Sequence, residues 1–521
     1  MNLPWLSLMT FVPLAGAVVV VWAGRGGGCG AGGGGKARLL ALALHGVVLA
    51  MTLRVAAGYE VDGVGMQWVE RHAWVPSLGV EYHLGIDGLG LVAVLLAAGV
   101  PLLAALVSGR AAAGREGLYH ALLLVLQGGL FGTFTALNFF HWFLFWEVSL
   151  VPAYFLVRLF GGERAGASAF QFFVYTMVGS VALLLAFLAL RAAGGSFDFL
   201  ELAAMGRSGE LARGLAERVP WAGTGEGLAM VVFGGVLLGF AVKVPLWPFH
   251  TWLPDTYTAA PAPVTMVLTG VMSKMGVYGL LRLGLPIFPD QFRAAQGVLV
   301  GLALVTVVWP ALAALAQTDF KRVFAYSSIN HLGYCLLGMF VVTPGDWGER
   351  WADGVAAPAL NGVLFQILNH GLIAATLFAC VEVFERRTAG LREMDRFGGL
   401  RRVAPVFCGL MGVAVFASLG LPGLNGFVSE FLIFKGVFSA APWVAAAGLV
   451  GVLATAIFLV GMMGRLFHGP LGAGWAGFAD LTLAERVQLG IPVGLMLVLG
   501  VFPHWMLRLT NPTVGQLIGG H

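Results

Sequence analysis

The sequence predicts an all-α polytopic membrane protein of about 14 transmembrane helices, with two inverted repeats that each contain a broken helix. Three observations carry this. Of the 521 residues, 59% are hydrophobic and only 11% are charged, against roughly 25% charged in soluble chains. Apolar runs near the ~20 residues that a membrane helix needs recur along the whole chain. Ionisable residues fall near the middle of several of those runs, where a charge costs about 2.5–3.5 kcal/mol.

The runs cover about 3–23, 38–57, 87–108, 118–137, 139–160, 168–190, 228–260, 263–283, 295–316, 322–342, 359–384, 404–440, 441–465 and 487–508. The first is not followed by a small-residue cleavage site and is read as a retained span. Two runs are too long for one straight helix. Lys243-Val244-Pro245-Leu246-Trp247-Pro248 interrupts 228–260, and Gly420-Leu421-Pro422-Gly423 interrupts 404–440. Breaks at corresponding places in two halves point to an inverted-repeat transporter with its ion site beside them. The longest loop, roughly 191–227, is mixed in charge, so no soluble domain is left over.

Alternating the loops between two faces gathers Arg25, Lys36, Arg38, Arg110, Arg115, Lys321, Arg322 and the run from Arg386 to Arg402 on one of them. An excess of Lys and Arg marks the cytoplasmic side. The opposite face takes both termini and the acidic loop with Glu60, Asp62, Glu70 and Glu81.

Glu147, Lys243, Lys274, His331, His370 and Glu430 lie at similar depth in successive spans, so they can form a row parallel to the membrane plane. Such a row needs switchable proton affinity. A desolvated lysine loses affinity for its proton and a nearby carboxylate restores it, which makes Glu147 and Lys243 the natural couple. Lys274 and the histidines would relay, since histidine titrates near neutral pH, and Glu430 would be the terminal group. The break beside Lys243 frees backbone carbonyls and admits water.

Plainer readings account for other residues. Arg158 and Arg282 read as end anchors, Glu382 and Lys435 as interfacial, and His141, Trp142 and Trp146 as an interfacial aromatic cluster. Cys29, Cys335, Cys380 and Cys408 form no CxxC pair, which argues against a zinc site, an iron–sulfur cluster or a disulfide framework. The Gly-rich stretch 24–35 lacks a GK[ST] ending, so it is a loop and not a phosphate cradle. No basic stripe interleaved with aromatics suggests nucleic acid. A b-type haem between His331 and His370 would leave the buried lysines unexplained.

Lys243-Val-Pro-Leu-Trp-Pro-Phe-His-Thr-Trp-Leu-Pro-Asp255, then Ala260-Pro261-Ala-Pro-Val and Ser273-Lys274-Met-Gly-Val-Tyr-Gly279, resembles the signature of antiporter-like subunits. These occur in complex I (NADH:quinone oxidoreductase), Mrp-type sodium/proton antiporters and membrane-bound hydrogenases. Asp319-Phe-Lys-Arg-Val-Phe-Ala-Tyr-Ser-Ser-Ile-Asn-His331 is similar to a second family signature. Asn138-Phe-Phe-His-Trp-Phe-Leu-Phe-Trp-Glu147 and Gly426-Phe-Val-Ser-Glu430-Phe look most like the bacterial M-type branch, since other branches usually carry lysine at the Glu430 position.

The resemblance implies helices 1–3 over 1–117, a first five-helix repeat over 118–283, a second over 295–465 and a last helix within 466–521. It also implies proton translocation in a bacterial cytoplasmic membrane, through Glu147, Lys243, Lys274, His331, His370 and Glu430. No cofactor is expected on this chain; FMN, iron–sulfur clusters and quinone are expected in partner subunits, among them neighbouring antiporter-like chains. One departure concerns the first break: Tyr257 stands where the family usually has histidine, and Ala259 is apolar.

Overall fold

The computed structural model describes residues 3–25, 33–109, 112, 114–221, 223–343 and 354–519. Cys29, Arg110 and the centre of the 24–35 stretch lie outside the described residues. The chain begins with α1 (Trp5–Arg25) and α2 (Gly33–Ala57), then a hairpin of β1 (Gln67–Val75) and β2 (Val80–Ile86). Next come α3 (Gly88–Val107), α4 (Glu116–Thr135), α5 (Phe139–Phe160) and α6 (Ala165–Gly194). Two short helices, α7 (Phe199–Arg207) and α8 (Glu210–Arg218), lead to α9 (Gly225–Lys243) and α10 (Trp252–Ala259). The rod α11 (Ala262–Ile287) closes the first half.

The second half follows. It holds α12 (Pro289–Leu315), α13 (Phe320–Val341), α14 (Ala356–Arg387), α15 (Pro405–Ser418), α16 (Asn425–Ala440) and α17 (Pro442–Phe467). The chain ends with α18 (Leu483–Val501) and α19 (His504–Gly519).

Among the described residues, 12 helices are long and apolar enough to cross a membrane. Adding α13 and the broken pair α15/α16 accounts for all the expected runs. Helix ends follow local chemistry. The Asn138 side chain accepts the Phe140 N–H at the start of α5, and Asp319 accepts from Lys321 and Arg322 at the start of α13. These caps satisfy backbone donors that no helical carbonyl reaches.

Three segments differ from the sequence reading. The acidic loop contains the antiparallel hairpin, which turns at Gly79 (φ +64°), where only glycine is unstrained. The 191–227 loop holds α7 and α8, with Asp198 capping α7. The run 487–508 is interrupted before Pro503, so the last apolar stretch divides into α18 and α19. A proline has no N–H to continue the helix.

Among the 12 spans, α11 has a wholly buried apolar window, α14 has 89% of its window buried and α18 has 28%; α13 is buried over nearly its whole length. Helix α11 packs between α3 and α14, with α9 against its later turns. Small residues allow the closest approaches: a Cβ at Gly371 of α14 would meet the Gly270 carbonyl of α11 at 2.7 Å. Within α11, Leu268–Met272 and Leu280–Gly284 are π-helical turns. Such turns shift the backbone hydrogen bonds by one residue and are frequent at functional sites.

Candidate functional site

The second half brings its groups together at the break between α15 and α16. The Ser418 carbonyl would bond the N–H four residues on, but that residue is Pro422, which has none. His331 of α13 takes its place, with Nε2 2.8 Å from the Ser418 carbonyl and 3.4 Å from Glu430 Oε1. Its Nδ1 lies 2.7 Å from the Ser327 carbonyl. A neutral imidazole has only one N–H, so two carbonyls on its two nitrogens suit an imidazolium balanced by the Glu430 carboxylate. Gly420 (φ +75°) leaves room for that carboxylate: a Cβ there would meet Glu430 Oε2 at 2.6 Å. Alongside, the Asn369 amide donates to the Asn425 carbonyl at 2.6 Å, fixing α14 against α16.

Lys274 sits at the centre of α11. The π turn sends the Ser273 N–H to the Leu268 carbonyl (3.0 Å), and the side chains of Ser273 and Lys274 both donate to the Thr269 carbonyl. Lys274 Nζ also lies 2.6 Å from His370 Nδ1 and 3.4 Å from Ser273 Oγ. An ammonium has three donors and no acceptor, so these three acceptors satisfy it fully. The rings of His370 and His331 stack at 5.3 Å. A space of about 10 Å³, lined in part by His370, Ser327, Ser328 and Ser418, lies beside them; that is about one water. Lys274, His370, His331 and Glu430 are therefore in sequential contact.

The first half differs. Lys243 ends α9 and is buried, yet among the described residues its Nζ has no hydrogen-bond partner, and neither has Glu147 Oε1. No ion pair joins the two within 4.0 Å. Lys243 Nζ instead lies over the Trp146 ring, 4.5 Å from its centroid, an attraction that strengthens where water is excluded. The Trp146 indole donates to Ser180 Oγ at 3.0 Å and stacks on Trp142. Trp142 and Trp146 are buried against Phe240 of α9, while His141 packs edge-on against Trp74 and Tyr82 of the hairpin. Beyond the break, the Trp252 indole caps the Val242 carbonyl at 3.1 Å.

Two charged residues read as anchors or interfacial are buried. Arg282 of α11 pairs with Asp87, the N-cap of α3, because both lie inside packed helices and neither can reach water. Their runs end on the same face, a signal that counting spans alone would have supplied. Glu382 is 4% exposed, at the edge of a basin of about 870 Å³. The basin also borders Lys321, Arg322, Glu385 and Arg392, all on the Lys/Arg-rich face. There, buried Lys321 donates to the Ala260 carbonyl at 2.7 Å and pairs with Glu385 at 3.2 Å. Lys435 is exposed, as an interfacial lysine should be.

A broken helix in each half, with basic and acidic groups buried among packed apolar helices, defines a multi-pass membrane protein of the antiporter-like class. Residues 136–458 match the family described as NADH:quinone oxidoreductase/Mrp antiporter, transmembrane, and the chain belongs to it. NADH-quinone oxidoreductase subunit M of Rhodobacter capsulatus is 34% identical over 514 residues, covering 98% of this chain and 96% of that protein. A chain of respiratory complex I from Thermus thermophilus superposes with a TM-score of 0.83 and 28% identity over 99% of both chains. A chain of the Mrp complex from a Dietzia species shares the fold, with a TM-score of 0.81 and 23% identity over 99% of this chain and 52% of that one. These relatives bear out the M-type resemblance of the chain.

Proposed function

We propose that this chain is a proton-translocating membrane subunit of a bacterial NADH:quinone oxidoreductase, resident in the cytoplasmic membrane. The contact series Lys274–His370–His331–Glu430 carries the reading: each member holds or passes a proton and the series ends beside a broken helix. Lys274 gives a proton to His370 Nδ1, 2.6 Å away. A water in the adjoining space takes it on to the His331 side, and Glu430 receives it. Glu147 and Lys243 act as the switch, since among the described residues the Lys243 ammonium has no hydrogen bond to break when its proton leaves. The basin on the Lys/Arg-rich face leads water towards the row.

Redox chemistry belongs to partner subunits in this reading, with FMN, iron–sulfur clusters and quinone bound there and neighbouring antiporter-like chains alongside. Its energy arrives here as shifts in buried charge. Extracting the protein gently from its native membrane tests the assignment: flavin- and iron–sulfur-bearing partners support it, and a set of small membrane chains without redox centres replaces it with an Mrp-type antiporter. Within the intact complex, Lys243→Ala should cut proton uptake by membrane vesicles at least about ten-fold, a loss of roughly 1.4 kcal/mol, with assembly retained. Uptake at the wild-type rate would remove Lys243 from the path.

A further inference from the structure

Helix α10 is the piece of chain that follows the first break, and its two ends are tied to different halves of the molecule. At its start the Trp252 indole donates to the Val242 carbonyl at 3.1 Å and packs against Phe172. That carbonyl is free of its own helix, because the Leu246 N–H four residues on bonds the Ala241 carbonyl instead, at 2.8 Å. Val242 directly precedes Lys243. The Trp252 bond therefore fixes the last turn of α9, where Lys243 lies buried.

The far end of α10 is gripped from the second half. The last carbonyls of a helix have no partner within it, and cations suit that end. Arg392, in the loop after α14, donates to the Thr258 carbonyl at 2.9 Å, and Lys321 of α13 donates to the Ala260 carbonyl at 2.7 Å. Between them the Ala259 carbonyl accepts the Gly162 N–H of the first half at 3.0 Å. Arg322, next along α13, pairs with Asp255 at 2.7 Å; that pair is half-exposed and worth less. The two stronger cations form one body with the start of α13. Arg392 Nε lies 3.2 Å from Asp319, the Arg392 carbonyl accepts the Phe320 N–H, and Glu385 pairs with Lys321 at 3.2 Å and Arg392 at 3.4 Å. Lys321 is 1% exposed, so water does not compete for its bonds.

We propose that Lys321 and Arg392 are positioning residues: by gripping the end of α10 they keep Trp252 on the Val242 carbonyl, and so tie the geometry at Lys243 to α13, the helix that carries His331. The inference rests on the relay reading above. With eight residues, α10 spans about 12 Å at ~1.5 Å per residue, and a rod that short passes a shift at one end to the other. Without the grip α10 turns, the indole leaves the Val242 carbonyl, and the turn of α9 that places Lys243 over Trp146 loses its fixing bond. Neither cation touches a proton in transit; each acts through α10.

The test is a double-mutant cycle in the intact complex in membrane vesicles, reading proton uptake per electron pair together with assembly. Lys321→Met keeps the stem and removes the donor, and Trp252→Phe keeps a ring and removes the indole N–H. Each should lower uptake about five-fold, the scale of one lost hydrogen bond, with assembly unchanged. If Lys321 acts through Trp252, the double variant should also lose about five-fold; two independent structural losses would multiply to about twenty-five-fold. Should Lys321→Met not assemble, Arg392→Gln, which removes the Thr258 bond, takes its place in the cycle. A multiplied loss in the double variant, or wild-type uptake in the single cation variant, overturns the grip. Lys243→Ala in the same vesicles keeps the two readings apart. If it is impaired, a failed cycle removes the grip alone; if it pumps normally, the relay falls and the grip with it.

Discussion

In the first half of the chain the acid, Glu147, sits on an unbroken helix and the base, Lys243, beside the break. In the second half the base, His331, sits on the unbroken helix and the acid, Glu430, beyond the break. Equivalent places thus carry opposite charges. Their contacts differ as well. His331 and Glu430 approach to 3.4 Å with two carbonyls on the imidazole, whereas Lys243 rests on an indole and, among the described residues, neither it nor Glu147 Oε1 has a hydrogen-bond partner. The cause is local. Pro422 frees the Ser418 carbonyl for His331, while at the first break the Trp252 indole occupies the Val242 carbonyl and Trp146 takes the face of Lys243. A closed pair holds its charges in place; an open pair has little to lose when a proton leaves.

The comparison can be broken most decisively at His331. Removing one member of a closed, buried pair leaves the other uncompensated, at about 3–5 kcal/mol. His331→Ala should therefore lower the thermal stability of the membrane arm and cut proton uptake together, as a melting series with parallel uptake assays would register. An unchanged melting temperature would mean that the second pair is no more closed than the first.

Glu147→Gln should separate the two effects. With no ion pair to break, stability should change by no more than about 1 kcal/mol, while uptake falls about ten-fold because the carboxylate no longer sets the proton affinity of Lys243. A large loss of stability in Glu147→Gln would show the first pair to be closed in the working complex.

The smallest effect belongs to a pair outside the row. Asp198, at the start of α7, lies 2.6 Å from His83 Nδ1 of β2. Burial pushes the Asp198 carboxyl up, but the His83 bond and the N–H groups of Glu201 and Leu200 outweigh it and hold the carboxyl below its ordinary range. Its contribution is therefore present above the ordinary carboxylate value of ~3.9 and is lost as pH falls through the lowered one. Hydrogen exchange across the hairpin should show that acid limb in the wild type and not in Asp198→Asn, and proton uptake should be unaffected. A transport defect in Asp198→Asn would extend the row to this face.

The helices were legible because each is written locally: a run of apolar residues, a cap, a proline or glycine where the run must stop. Both breaks could be read in the same way, since Pro245 and Pro422 interrupt a helix whatever surrounds them. The six ionisable groups within apolar runs could be picked out because charge in such a run is costly wherever the run ends up. What surrounds those groups was not local. Trp146 under Lys243 and the stacked histidines each join residues from different helices, and Arg282 looked like an end anchor because its partner Asp87 lies 195 residues away. Even the hairpin was hidden, as strand pairing depends on a partner strand. Sequence by itself determined which groups fall within apolar runs, because desolvation acts on each residue alone. Only the tertiary structure decided which of them touch, because hydrogen bonds and ring contacts act over a few ångströms and depend on how the helices pack.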